Sequence, residues 1–359
     1  MTTLGKKPAR QWLALIMSAH NEELVIENTI HSAVMAGMPL EHIYVVDDAS
    51  TDRTAEIARD LLGRGNVLTV AHSGKGLALT RGAKRFKLSS RYEWIHVVDA
   101  DCQFAGDYFA NFRARLDPTA AAATGYVKSM RGSIISAYRV YEYTFGMEVV
   151  RRFQHMIGTI PIIPGPTSCF RADIFDKVRF DNGALAEDFD VTLQVHRQKL
   201  GKIQFIEGAV VYTQDPGTVR DFIRQITRWN RGVLQGFKRH RIGTRASKLD
   251  IYLQYQLLNC LSMVFSYGLI IPLAGLKHGL LLTMATAFLA DVIMTLGLVF
   301  YTASLARRLD IMSAFPYIYM LRWISVGVFI KSYVEIMILR KFRGTSGAWT
   351  TPTRQRIAN

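Results

Sequence analysis

The stretch Ile43-Tyr44-Val45-Val46-Asp47-Asp48-Ala49-Ser50 decides the fold: four apolar, β-favouring residues run into two acids and a small polar turn. A short run of this kind is a strand buried on both faces, and acids at its end mark the rim where parallel sheets bind ligands. Going outward, the same unit recurs. Trp12–Met17 leads into Ser18-Ala19-His20-Asn21-Glu22, Val67–Val70 follows, and Trp94–Val98 ends in Asp99-Ala100-Asp101. Between these runs, residues 22–36, 51–62 and 76–86 have helical spacing, so residues 12–105 predict an α/β unit with an open, mostly parallel sheet.

The rest of the chain is organised differently. Residues 106–215 are mixed, with Pro161, Pro164 and Pro166 marking a loop and residues 183–190 an acidic turn. Residues 218–240 predict one amphipathic helix, on which Arg220, Arg224, Arg228 and Arg231 form a stripe while Phe222, Ile226, Trp229 and Phe237 face elsewhere. Three apolar segments follow at 252–275, 280–304 and 315–339, each about as long as the roughly 20 residues a bilayer requires. Asp291 interrupts the second, and Arg322, Lys331 and Glu335 the third. Such groups are expected to face protein or water rather than lipid. The predicted units are therefore 1–217, catalytic and cytosolic; 218–250, an interfacial helix and basic linker; 251–340, two or three spans; and 341–359, a basic tail.

Composition supports a membrane assignment. The 359 residues are 49% hydrophobic with a formal net charge of +15, which excludes a disordered chain. Residues 1–250 hold 34 of the 44 Lys and Arg and 26 of the 29 Asp and Glu, a net of +8, whereas the last 109 hold 10 and 3, a net of +7. Basic residues thus gather around the apolar segments, as in proteins that dock on anionic lipid, rather than in a nucleic-acid patch. Counting positive residues places Lys248 and Arg307-Arg308 inside and the Lys277 hairpin outside; a third crossing would put the basic tail outside, against the rule. Cys102, Cys169 and Cys260 give no disulfide or metal spacing, consistent with a reducing cytosol.

Four clusters carry chemistry. Asp99 and Asp101 form an Asp-x-Asp pair suited to a hard divalent cation, although such a pair alone is more often a solvated turn. Asp47 and Asp48 suit base or ribose recognition, or cap the following helix. Glu187-Asp188 offers a carboxylate to take a proton from an acceptor hydroxyl, or an ordinary acidic surface. Gln225, Arg228 and Trp229 share one helical face, joining a phosphate clamp to a flat apolar platform.

In this order the clusters resemble glycosyltransferase family 2, processive branch, the membrane synthases of cellulose, chitin and hyaluronan. The matching residues are Ala19-His20-Asn21-Glu22-Glu23, Val46-Asp47-Asp48-Ala49-Ser50, Asp99-Ala100-Asp101, Glu187-Asp188, Gln225-x-x-Arg228-Trp229 and the loop Gly165-Pro166-Thr167-Ser168-Cys169-Phe170-Arg171. The tail Trp349-Thr350-Thr351-Pro352-Thr353-Arg354 is similar to the ends of bacterial N-acetylglucosaminyl- and hyaluronan-type synthases.

The resemblance implies a Rossmann-like GT-A domain and an inverting, β-forming transfer from a UDP-sugar, of the UDP-N-acetylglucosamine or UDP-glucose type, to a glycan or lipid-linked acceptor at the inner or plasma membrane. It casts Asp188, beside Glu187, as the base. Asn21, Glu22, Asp47, Asp48, Lys75, Asp99, Gln225 and Arg228 meet the donor, Asp99 and Asp101 hold Mg2+ or Mn2+, and Trp229, Thr167, Ser168, Cys169 and Arg171 meet the acceptor. Transfer of one sugar to polyprenyl phosphate is the alternative; enzymes of that kind typically lack Gln-x-x-Arg-Trp. A non-enzymatic basic membrane-surface protein is a weaker one, because it leaves the acids at successive strand ends unexplained. With at most three spans a complete glycan channel in one chain is doubtful, and homo-oligomerisation would reconcile this with repeated addition.

Overall fold

A computed structural model describes residues 10–130, 132–180 and 183–341. The similarity noted for residues 349–354 lies outside them, as does nearly all of the predicted tail. The expected alternation of strand and helix is present: β1 (Gln11–Ala19), α1 (Ile26–Met35), β2 (Ile43–Asp48), α2 (Thr54–Leu62), β3 (Val67–Val70), α3 (Lys75–Arg85) and β4 (Tyr92–Asp99). From Leu13 to Ala19 every residue of β1 is buried, as befits a central strand covered on both faces. β1 pairs in parallel with β2 on one side and β4 on the other. Their register sets Ser18 opposite Val46 and Asp99, and Ala19 opposite Asp47, so the polar strand ends share one rim.

This is an α/β fold of the GT-A type, and its sheet is parallel only in part. Beyond β4 come β5 (Cys102–Phe104), α4 (Tyr108–Arg115), β6 (Ala122–Ser129), α5 (Ile134–Phe145), β7 (Ser168–Arg171), α6 (Glu187–Arg197) and β8 (Ile203–Thr213). The eight strands run β3-β2-β1-β4-β7-β6-β8-β5. β7 is antiparallel to both β4 and β6, and β5 to β8. The mostly parallel sheet expected over residues 12–105 is present in β1–β4; beyond them β6 and β8 pair in parallel, while β7 and β5 are antiparallel to their neighbours. β7, set between β4 and β6, and β5, at the edge beside β8, stand outside the βαβ repeat whose crossover helices make β1–β4 parallel.

The amphipathic helix is α7 (Val219–Arg239), capped by the Thr218 side chain, which accepts from the Asp221 amide. Three helices follow, α8 (Lys248–His278), α9 (Leu280–Leu305) and α10 (Leu309–Ile338), each long and apolar enough to cross a membrane. Of their polar interruptions, Asp291, Arg322 and Glu335 are paired. Arg322 grips Asp291 with two bonds of 2.8 and 2.9 Å and Tyr319 adds a third of 2.7 Å, joining α9 to α10. Glu335 accepts from Arg231 of α7. Phe222 and Ile226 of α7 pack with Val299, Ala303, Ile318 and Leu321, so α7 is fastened to these helices through its apolar face.

Candidate active site

At the rim of the parallel half, a cavity of about 600 Å³ opens between the strand ends, the 164–166 loop, the start of α6 and one face of α7. Asp48 does not line it but holds a residue that does. This buried carboxylate accepts from the amides of Ser73 and Gly74, both at 2.8 Å, and so holds the loop that starts α3 at Lys75. The Lys75 ammonium then lies 2.6 Å from both Asp99 and Glu187. One cation thus ties the end of β4 to the first turn of α6, two segments far apart in the chain.

The Pro-rich loop crosses this cluster on its backbone. A Cβ on Gly165 would sit 2.8 Å from Asp99 Oδ2 and 2.9 Å from Lys75 Nζ, so a side chain here would displace the Asp99–Lys75 pair. The Gly165 amide points at Asp188 Oδ2, 3.4 Å away, and the Phe189 amide donates to Asp188 Oδ1 at 2.8 Å. From the other side, a Cβ on Gly232 of α7 would lie 2.5 Å from the Ala186 Cβ, so α7 leans directly on the turn that presents Glu187 and Asp188.

The two adjacent acids titrate apart. Burial, reinforced by the Glu187 charge and opposed by Lys75, pushes Asp188 up from 3.8 to about 6. Burial acts on Glu187 in the same sense, yet Lys75 and then Arg228 outweigh it and hold the carboxyl below its ordinary value. Burial pushes Asp99 up against the pull of Lys75. The shifts of the neighbouring carboxylates are opposed: Glu187 stays charged beside its cations, and Asp188 keeps its proton to a higher pH.

Asp99, Asp101, Glu22, Lys75, Glu187, Asp188, Gln225, Arg228 and Trp229 all line the cavity. The other residues singled out in the sequence do not. Asp47 accepts from the Ser50 amide, and Asn21, in a left-handed conformation, accepts from Thr51, so these two build the turns beneath the rim. Of the 165–171 loop only Gly165 and Pro166 reach the cavity. Thr167 bonds Thr124, Ser168 donates to the Ile163 and Pro164 carbonyls, and Cys169 is buried within the sheet. Arg171 turns outward to Asp173 at 2.5 Å.

Among the described residues, no group of three or more His, Cys, Asp or Glu gathers to hold a metal ion. The donor set is instead two carboxylates, Asp99 and Asp101, facing an open cavity. This fits Mg2+ or Mn2+ of the kind that is completed by substrate phosphates.

Arg139 of α5 is a residue sequence reasoning missed. It is fully buried, bonds Glu142, and donates to Gln225 Oε1 at 2.5 Å. Its guanidinium lies 4.7 Å from the Trp229 ring and 4.9 Å from Phe222, so it orients two of the three motif residues at once. No spacing pointed to it, because its partners lie about 90 residues further along the chain.

The sequence model of "Glycosyl transferase family group 2" matches residues 94–327, which include Asp99, Asp101, Glu187, Asp188 and the Gln225–Trp229 motif. The chain belongs to this family. This family 2 chain is similar to the poly-beta-1,6-N-acetyl-D-glucosamine synthase of Staphylococcus epidermidis, 24% identical over 249 residues, 67% of this chain and 59% of that one. The corresponding synthase of Staphylococcus aureus is 24% identical over 242 residues, 64% of this chain and 58% of that one. The family 2 chain thus spans about three-fifths of the length of these relatives. Its fold matches a mannosyltransferase from Pyrobaculum calidifontis, solved with GDP-Man and Mn2+, with a TM-score of 0.60 and 18% identity over 87% of each chain.

Proposed function

We propose that the protein is a membrane-held, divalent-metal-dependent, inverting glycosyltransferase that adds sugar from a UDP-sugar, of the UDP-N-acetylglucosamine type, to a β-linked glycan. The observation that carries this reading is the meeting in one cavity of Asp99 and Asp101, Lys75, Glu187 and Asp188, and the Arg228-Trp229 face of α7. Donor chemistry is suggested by the relatives, which are named as poly-N-acetylglucosamine synthases.

In this reading Asp188 takes the proton of an acceptor hydroxyl as that oxygen bonds the anomeric carbon, while the carbon–phosphate oxygen bond breaks on the opposite face and UDP departs. A metal held by Asp99 and Asp101 would neutralise the charge of the diphosphate. Lys75 and Arg228 supply further positive charge at the same rim, and Trp229 offers the acceptor ring an apolar face. Asp48 acts on the donor by presenting the 73–75 loop. The three apolar helices would hold the catalytic domain at the cytoplasmic face, with α7 fixed at the membrane boundary.

The test is transfer of labelled N-acetylglucosamine from UDP-N-acetylglucosamine by the purified full chain in lipid nanodiscs. A ladder of β-linked products supports the reading. A single adduct on polyprenyl phosphate would replace it with one-step transfer to a lipid.

A further inference from the structure

The helix that begins as α5 does not stop at Phe145. Its backbone stays helical through Gly146–Arg151 and Arg152–Met156, so one rod runs from Ile134 to Met156. Near its start the Tyr138 hydroxyl meets Ser325 Oγ of α10 at 3.2 Å, and near its end Gln154 donates to the Tyr252 hydroxyl of α8 at 2.8 Å. The rod is thus pinned near both ends to the apolar C-terminal helices, and it follows the boundary between them and the catalytic domain.

The last turns of this rod have two faces. Met147, Arg151 and Gln154 point inward and are buried, with Arg151 donating to the Ile162 carbonyl at 2.5 Å. Val149, Phe153 and Met156, at i, i+4 and i+7, point outward; Phe153 is 48% exposed and Met156 76%. Arg152, on the flank, is already held by Glu148 at 2.8 Å and Glu207 at 3.1 Å, so the outward stripe itself is apolar. Alongside it, α8 presents Lys248, Ile251, Tyr255 and Leu258 at i, i+3, i+7 and i+10, all exposed. The two stripes meet at Phe153, whose ring centre lies 6.5 Å from that of Tyr252.

The neighbour decides what covers this face. α8 is long and apolar enough to cross a bilayer, and its exposure continues through Phe265, Leu269 and Leu273. A stripe packed beside the first turns of such a helix lies at the depth where headgroups give way to acyl chains. Its composition suits that depth: Phe153 and Met156 offer apolar groups to the acyl boundary, Tyr255 is a residue type of the aromatic belt, and Lys248 at the foot of the stripe can extend its ammonium to lipid phosphates.

We propose that the Val149–Phe153–Met156 face is a membrane contact of the catalytic domain itself, seated in the interfacial layer beside α8 and separate from the spans and from α7. With α7 fastened at one place and this face at another, the domain is held at two points and its tilt over the bilayer is fixed. The occupant is the phospholipid surface; a second copy of the chain is the competing outcome. The contact goes beyond the transfer chemistry and does not depend on it.

The experiment uses the full chain in nanodiscs of mixed zwitterionic and anionic phospholipid, carrying Cys260→Ser to remove the exposed cysteine; Cys102 and Cys169 are buried. A nitroxide at Met156→Cys or, separately, at Val149→Cys is compared with one at Met35→Cys, which is 81% exposed on α1. Collision with oxygen, which concentrates in lipid, relative to collision with a water-soluble nickel complex should be at least threefold higher at 149 and 156 than at 35. Adding Phe153→Glu and Met156→Glu to the Val149→Cys protein should return its ratio to within twofold of that at 35, a change that a label buried against protein would not show. Two label positions, each checked by its melting temperature, keep one misfolded variant from deciding the result. Ratios at 149 and 156 equal to that at 35, or shielding from both relaxers, would overturn the contact. So would spin–spin broadening that disappears on dilution with unlabelled chain, the sign of a second copy. No donor or acceptor enters the measurement, so its outcome is separate from that of the transfer assay.

Discussion

Replacing Asp188 by asparagine should make the protein more stable and nearly inactive. The native carboxyl titrates near about 6 instead of 3.8, chiefly because the fold buries it beside Glu187. A folded-state value above the unfolded one means that the native protein holds this proton more tightly, so wild-type stability falls as pH rises from about 4 through 6 and is level above. A difference of about 2 units is worth about 3 kcal/mol at 1.36 kcal/mol per unit. Asparagine carries no charge to bury. Its advantage should therefore be near zero below pH 4 and grow to about 3 kcal/mol by pH 8, read as a Tm higher by several degrees in detergent. Transfer should meanwhile fall by about a hundred- to ten-thousandfold, the usual worth of a general base. Wild-type transfer should also fall as acid protonates Asp188 below about pH 6, within the field of Glu187, Lys75 and Asp99. An Asp188→Asn protein no more stable than wild type at pH 8 would refute the burial argument, and one that keeps its turnover would refute the base assignment.

Four further outcomes are expected. Arg139→Met should reduce kcat by about tenfold or more, the order of a lost charge-assisted bond to Gln225, with little change in the donor KM, as followed by steady-state transfer kinetics. Gly232→Ala should push the Ala186 turn away, costing about 1–3 kcal/mol and most activity, whereas Gly297→Ala, which meets no atom within 4 Å, should be neutral in the same thermal and transfer assays. Asp291→Ala should destabilise the membrane helices by about 3–5 kcal/mol by stranding Arg322, and Asp291→Ala with Arg322→Leu should recover much of it in a double-mutant cycle of unfolding in detergent. Chelation should stop transfer and Mg2+ or Mn2+ restore it, while Asp101→Asn should lose activity that neither ion rescues.

Much of the fold was legible because its first half obeys local rules. β1 to β4 are mostly apolar runs, each followed by helical spacing or a polar turn, and the acids at the ends of β2 and β4 follow from where parallel sheets bind ligands. The long apolar segments and α7 were equally plain from length and periodicity. Residues 106–215 were not, because β6, β7 and β8 gain their order and direction from pairing across about 80 residues, which no local pattern records. The site divided in the same way. Asp99, Asp101, Glu187, Asp188 and Arg228 were found as motifs, but the bridge of Lys75 between Asp99 and Glu187, the support that Arg139 gives Gln225 and Trp229, and the loop-holding bonds of Asp48 arise only when distant segments meet. The loop beginning at Gly165 shows the limit best: its first two residues reach the cavity, while Ser168 and Cys169 are taken up by the register of β7 against β4.

The most direct test of the central claim is the product formed by the purified full chain from labelled UDP-N-acetylglucosamine with Mg2+ or Mn2+. The account predicts chelator-sensitive growth of a glycan that a β-N-acetylhexosaminidase degrades, abolished in Asp188→Asn. Metal-independent transfer, an α-linked product, or no transfer from any UDP-sugar would contradict it.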